Sequence, residues 1–340
     1  MFERIRIWWG LAIACAAAVL WAVDLTILEP LTEPSRHLPD GLAENNTYWA
    51  RDLRVMAIVA ALGGMVLVLR GDRRRSWVAV AGAVAWLGAD VGLDRLDVRG
   101  VTATVVIAVV ACGVLLTGGA LSRVAGGPEV GGRAALGLLA SVTAALAPLA
   151  AAIESPSDTE AGLTPAAVAA ATGLVLAALG CALAAGPAPS GRRALAAVAF
   201  VVIAVGLIVA ARLASPGPGL RALVEVLLGV VGLTAVALFS RGWPAADDLL
   251  ASLGFGLAAL VLYPVLTLGS AVVMMMSGQP ARYLTELAGN SAVNAADSDV
   301  ILAFAGVLAG LAFGFAVLGF ARPAGAVGAP VTAAPVASGG

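Results

Sequence analysis

Lysine is absent from this 340-residue chain, histidine and glutamine occur once each, as His37 and Gln279, and charged residues of every kind make up only 12%. An ordinary soluble domain is about 25% charged. With 61% hydrophobic residues and a mean hydropathy of +0.98, the chain has more apolar surface than a water-soluble core can hide. A single histidine excludes bis-His haem ligation and histidine-rich metal centres, and it leaves imidazole acid/base chemistry one candidate. Cys15, Cys112 and Cys181 fall in separate apolar runs without CxxC spacing, so neither a disulfide framework nor a zinc site is expected. Aromatic residues are scarce at 5%. The strands of a membrane β-barrel would alternate and carry aromatic girdles, so that architecture is disfavoured. No Gly-rich phosphate loop, HExxH, GxSxG or Walker sequence occurs, and no attached soluble catalytic domain is expected. No metal, cofactor or nucleic-acid partner is expected; the partner the composition does imply is the lipid bilayer.

Arginine as the sole basic residue besides His37 reads as a high-GC bacterial codon bias. The Asn45-Asn46-Thr47 sequon would matter only in a eukaryotic secretory pathway. The N-terminal segment, with Arg4 and Arg6 ahead of an apolar run, resembles a signal peptide. A secretory apolar region is roughly 7 to 15 residues, however, and this one runs from Leu11 to Leu28, so it reads as an uncleaved first helix.

What is present is a series of apolar runs of about 20 residues, the length needed to cross a bilayer as a helix. They lie near 7–28, 53–69, 76–93, 101–121, 134–153, 163–185, 194–214, 220–240, 249–276 and 300–320. In lipid, backbone N–H and C=O groups need internal partners, which helices supply. The expectation is therefore an all-α, polytopic transmembrane bundle of about ten helices over residues 1–321, followed by a disordered cytoplasmic tail at 322–340. With the N-terminus inside, the cytoplasmic segments hold 12 of the 20 arginines, and the outer side holds 16 of the 21 acidic residues. The arginine bias predicts both termini in the cytoplasm of a bacterial plasma-membrane protein.

Two connections are long, 29–52 and 277–299, both on the predicted outer side. They align at nine of 22 positions, pairing Pro34 with Pro280, Arg36 with Arg282, Asn45 with Asn290 and Asp52 with Asp297. A true repeat would relate the first hairpin to the fifth about an axis along the membrane normal, as in parallel transporter repeats. The competing reading is shared loop composition.

Asp24, Asp90, Asp94 and Glu225 border or interrupt apolar runs, where an ionisable side chain is a functional candidate by default. Asp90 and Asp94 are four apart and share a helix face, so they could form an outward-opening cation or proton site. The plainer reading, two solvated carboxylates at a helix end beside Arg95, is taken as the expectation. Arg221 and Glu225, also four apart, read as a structural ion pair. Tyr263-Pro264 near the middle of the 28-residue ninth run predicts a kink, with Thr267 and Ser270 as polar neighbours of a substrate or ion path. Gly306, Gly310 and Gly314 repeat at the spacing that permits close helix approach. Packing within the bundle is the primary reading and a homodimer the alternative.

Three function classes follow. A secondary permease for a small solute or lipid-like substrate fits the outer acidic residues and the ninth run. A scaffold or accessory subunit of an envelope complex fits the scarcity of charge near the midplane, the glycine face of the last run and the featureless middle helices. A lipid-linked glycosyltransferase would place catalytic carboxylates in the first outer loop, where Asp24, Glu29, Glu33, Asp40 and Asp52 stand, although aromatic sugar-binding surface is sparse.

Overall fold

In lipid the backbone can close its hydrogen bonds only within a helix or a barrel, and the computed structural model of the chain is built of helices throughout its described residues, 2–32, 47–124, 132–153, 163–187, 190–213, 218–241, 246–276, 283, 286–289 and 300–320. The long helices are α1 (Phe2–Val23, extended by a π-helical turn at Asp24–Leu28 and a last turn at Glu29–Thr32), α2 (Thr47–Val68), α3 (Arg73–Arg95), α4 (Val101–Val124), α5 (Gly132–Ala152), α6 (Leu163–Ala185), α7 (Gly191–Leu213), α8 (Pro218–Arg241), α9 (Ala246–Met276) and α10 (Ile301–Phe320). Among the described residues nine helices are long and apolar enough to cross a membrane. The remaining long helix is α2. Its 22 residues could reach about 33 Å at 1.5 Å per residue, but every 18-residue stretch of it contains Arg51, Asp52 and Arg54. The chain is a polytopic helical membrane bundle.

The helices follow the apolar runs, and most begin a few residues before them. Hydropathy falls at a charged residue, whereas helical hydrogen bonding continues past it. The second run reads as starting at 53, yet α2 starts at Thr47 and carries its charges inside the helix. Local chemistry marks some ends. The Asp72 carboxylate accepts from the Arg75 N–H (2.8 Å) at the start of α3, filling one of the four donors left open by a helix N-terminus. Gly71 supplies the left-handed turn before it, at φ +65°.

Helix α5 lies at the centre, packed against α2, α6, α8 and α10, while α1 packs on α2, α4 and α6. About 72% of the apolar window of α5 is buried, against 11% for α3 and for α4. The interior is made largely of alanine, including Ala14, Ala18, Ala140, Ala145, Ala167 and Ala182. Lipid removes the hydrophobic drive between helices, so close van der Waals packing of small residues takes its place. At the α1–α2 crossing a side chain on Gly10 would meet the Gly64 carbonyl at 2.6 Å, and one on Gly64 would meet the Gly10 carbonyl at 2.5 Å. The Gly306, Gly310 and Gly314 face packs in the same manner against Leu138, Val142 and Leu146 of α5.

Pro264 does not interrupt α9, which is one helix from Ala246 to Met276. Tyr263 beside it is buried and donates its hydroxyl to the Ala145 carbonyl of α5 (2.8 Å), with its ring lying where a side chain on Gly229 would stand. Thr267 turns back to the Tyr263 carbonyl (2.8 Å). Tyr263 thus ties α9 to α5, whereas the Thr267 hydroxyl is satisfied within its own helix. The tail at 322–340 and the loop residues Pro34, Arg36, Asn45, Pro280, Arg282, Asn290 and Asp297 lie outside the described residues, as does the side chain of Arg221. Of the eight loop-repeat residues, Asp52 alone is described.

Candidate functional site: a buried ion-pair network on the first three helices

Arg51 and Arg54 stand three apart on α2, so both guanidinium groups leave the helix on the same face. The Arg54 side chain is completely buried and meets three carboxylates: Glu29 of α1 through Nη1, Asp94 of α3 through Nη2 (2.7 Å) and Asp90 of α3 through Nε at an ion-pair distance of 2.8 Å. Arg51 donates from Nε to Glu29 Oε1 (3.2 Å) and Asp94 Oδ2 (3.0 Å). The indole N–H of Trp21 donates to Asp90 Oδ1 (2.7 Å), and the Trp21 ring packs edge-on against Trp86 at a centroid distance of 5.1 Å.

Trp86, Asp90 and Asp94 follow one another every four residues, and with Ala83, Leu87 and Leu93 they make up much of the covered stripe of α3. The rest of that helix carries exposed apolar side chains such as Trp77, Val78 and Val84. Helix α3 is thus docked largely through charge and indole contacts, which are strong where water is excluded. The expectation of two solvated carboxylates beside Arg95 is overturned. Asp90 and Asp94 keep only 7% and 6% side-chain exposure, because α2 carries their partners to them, while Arg95 points away and donates to the Leu287 carbonyl (3.1 Å).

The π-helical turn Asp24–Leu28 shapes the α1 side of the site. Residues five apart sit about 140° apart around an α-helix at 100° per residue, and a turn whose bonds skip five brings them closer to one side. Asp24 and Glu29 are separated by that interval, and the Glu29 N–H bonds the Asp24 carbonyl. The turn also turns the Thr26 carbonyl to the Gly100 N–H (3.0 Å), and the Thr26 and Thr104 hydroxyls meet at 2.5 Å. Gly100 has φ +93°, a conformation suited to glycine.

Asp24 is fully buried, and neither carboxylate oxygen has a hydrogen-bond donor among the described residues. The charges acting on it are those of Arg54, Glu29 and Asp90. Four carboxylates therefore share two guanidinium groups. Asp52, next in sequence, faces elsewhere: its Oδ1 accepts from the Ala303 N–H (2.7 Å) at the start of α10, where negative charge is favoured.

No protein-family model, curated protein or solved structure matches the chain. Its chemistry is therefore read from its own residues.

Of the residues singled out from sequence, Asp24, Asp90 and Asp94 come together in this one site. Glu225 stands apart on α8 near Tyr263, and Tyr263 and Pro264 belong to α9. Glu29 and Asp52, which a glycosyltransferase would present in an open outer loop, are instead buried against Arg51 and Arg54 and against the start of α10. Arg51 and Arg54 are not among the residues that the sequence singles out. Their signal was available: two arginines at the mouth of an apolar run that continues without a break behind them. Among the described residues no group of three or more His, Cys, Asp or Glu side chains is arranged to hold a metal ion. The carboxylate excess suits a proton.

Proposed function

We propose that the protein is a proton-coupled secondary permease for a small solute or lipid-like substrate, with Asp24 as the group that takes up and releases the proton. The observation that carries this reading is the Asp24 carboxylate, wholly buried without a donor beside a guanidinium already shared by three other carboxylates. An isolated carboxylate in such surroundings is costly unless its charge is neutralised. A proton arriving at or leaving Asp24 alters the competition for Arg54. Asp90 and Asp94 hold α3 through Arg54, and α3 has little other burial, so the docking of α3 responds to the charge state. Both termini are assigned to the cytoplasm of a bacterial plasma membrane, in keeping with the arginine bias.

The scaffold reading loses one support, because the glycine face of α10 is spent on α5 inside the bundle. Infrared difference spectra between pH 5 and pH 8 on membrane-reconstituted protein test the proposal. A carboxyl C=O band present in the native chain and missing in Asp24→Asn is expected, together with loss of proton movement in proteoliposomes at unchanged protein level. Identical spectra and identical proton movement for the two chains would overturn it. Reporters fused after Arg75 and Arg193 are expected to read cytoplasm, and an exterior signal at either would reverse the orientation.

A further inference from the structure

At the opposite end of the bundle from the ion-pair network, the N-terminal turns of α1 meet α6 and α7 around an apolar cleft of about 420 Å³. That is within the size range of small-molecule sites. Leu179, Leu183, Ala194 and Val198 line its walls. Its floor depends on Gly180, where an added side chain would meet Leu67 at 2.8 Å and Trp9 at 3.3 Å.

One charged residue lines this cleft, Arg6. Its Nε and Nη2 are buried with no hydrogen-bond partner among the described residues. Glu3, one turn away and the nearest acid along α1, is paired with Arg70. A guanidinium without an anion in apolar surroundings is costly, and the cleft opens at the end of the bundle that carries exposed Arg4 and Arg192.

A second apolar cavity, about 280 Å³, continues along α1 and shares Trp9 and Leu176 with the first. Together they flank α1 from Ile5 to Leu20. This is roughly 22 Å at 1.5 Å per residue, longer than the half-thickness of about 15 Å of the hydrocarbon core. The combination of an unsatisfied cation at the interface and an apolar track deeper than one leaflet matches a single chemistry, a phosphate headgroup attached to acyl chains.

We propose that this cleft is a binding site for an anionic phospholipid, whose phosphate pairs with Arg6 and whose acyl chain lies along α1 past Trp9 toward Leu20. The site is separate from the Asp24 network and does not depend on the permease reading. Arg6 supplies the planar donor fork suited to phosphate oxygens, and the cleft supplies the volume for the chain.

Native mass spectrometry of the detergent-solubilised full chain tests this with phosphatidylglycerol and phosphatidylcholine of identical acyl chains. Arg6→Gln is expected to weaken phosphatidylglycerol binding about tenfold, the size of one lost charge-assisted contact, and to remove the preference over phosphatidylcholine. Ala194→Trp, an exposed lining position that can fill the mouth without touching the interior, is expected to weaken both lipids. Arg4→Gln is expected to stay within about twofold, since a solvated surface charge contributes little. Unchanged binding in Arg6→Gln and Ala194→Trp would overturn the proposal. So would an Arg4→Gln effect equal to that of Arg6→Gln, which would mean diffuse surface attraction, and so would displacement by free glycerol phosphate, which would mean that the headgroup binds without its chains. Should Arg6→Gln fail to fold, Ala194→Trp and the glycerol phosphate competition carry the decision.

Discussion

Helices α2 and α4 have similar lengths and opposite surroundings. Helix α2 carries Arg51, Asp52 and Arg54 and is buried along nearly its whole length, with Arg54 at 0% exposure. Helix α4 is uncharged up to Arg123, yet Val105, Val106, Val109, Val110 and Val114 are all exposed. A water-soluble protein would arrange them the other way round. When the solvent is hydrocarbon, apolar side chains lose nothing at the surface, and charge must find its partners inside. Charge that enters the bilayer on α2 is enclosed by its neighbours, whereas the uncharged face of α4 needs no cover.

The largest effect that could break this contrast is expected at Arg54. Arg54→Gln leaves Glu29, Asp90 and Asp94 without their shared cation, and removing one partner of a buried ion pair costs about 3–5 kcal/mol. Unfolding measured in detergent should register that loss. Arg99→Gln, in the half-exposed pair with Asp97, should register less than about 1 kcal/mol. Equal effects would mean that the network is wet and the enclosure of α2 unimportant.

Next in size is Val109→Arg on the lipid face of α4. In water a surface arginine is harmless, but at the centre of a membrane helix it costs about 2.5–3.5 kcal/mol. A translocon insertion assay on α4 should show reduced spanning. Undiminished insertion would place α4 against something other than lipid.

A smaller effect separates two glycines. Gly310→Ala puts a methyl group where Val142 Cα lies at 2.4 Å, whereas Gly113→Ala on α4 meets nothing within 4 Å. Overpacking of the first kind costs roughly 1–3 kcal/mol, and the second should be neutral or slightly stabilising. Thermal unfolding of the two variants side by side decides whether α10 is seated as tightly on α5 as its glycines require.

The smallest expected change is at Asp52. Asp52→Ala removes an acceptor from the Ala303 N–H, a loss comparable to a helix N-cap at about 0.5–2 kcal/mol. Hydrogen exchange at the first turn of α10 should quicken while that of α4 stays as it was. Protection unaltered at Ala303 would show that the charge on α2 does not serve α10.

Much of the fold was legible in the chain because membrane insertion is decided locally. A run of about 20 apolar residues must become a helix, whatever its neighbours are. The ten runs therefore appear as ten long helices. The candidate site was legible in half. Asp24, Asp90 and Asp94 announced themselves as charges in apolar runs, but the second run begins at residue 53, which leaves Arg51 in the preceding connection and Arg54 at the very edge of the span, where an arginine reads as an ordinary flanking charge. Likewise the spacing of Gly306, Gly310 and Gly314 declares a close helix contact without naming α5 as the helix.

Sequence by itself determined the solvent, the helical class and the places where charge enters the bilayer, because each depends on a sum over neighbouring residues. Tertiary structure decided which charges meet. Glu29 and Arg54 are 25 positions apart, Arg54 and Asp94 40 apart, and Asp52 and Ala303 251 apart. Coulombic and hydrogen-bond partners are chosen by distance in space, and in this bundle that distance is set by how α1, α2 and α3 pack.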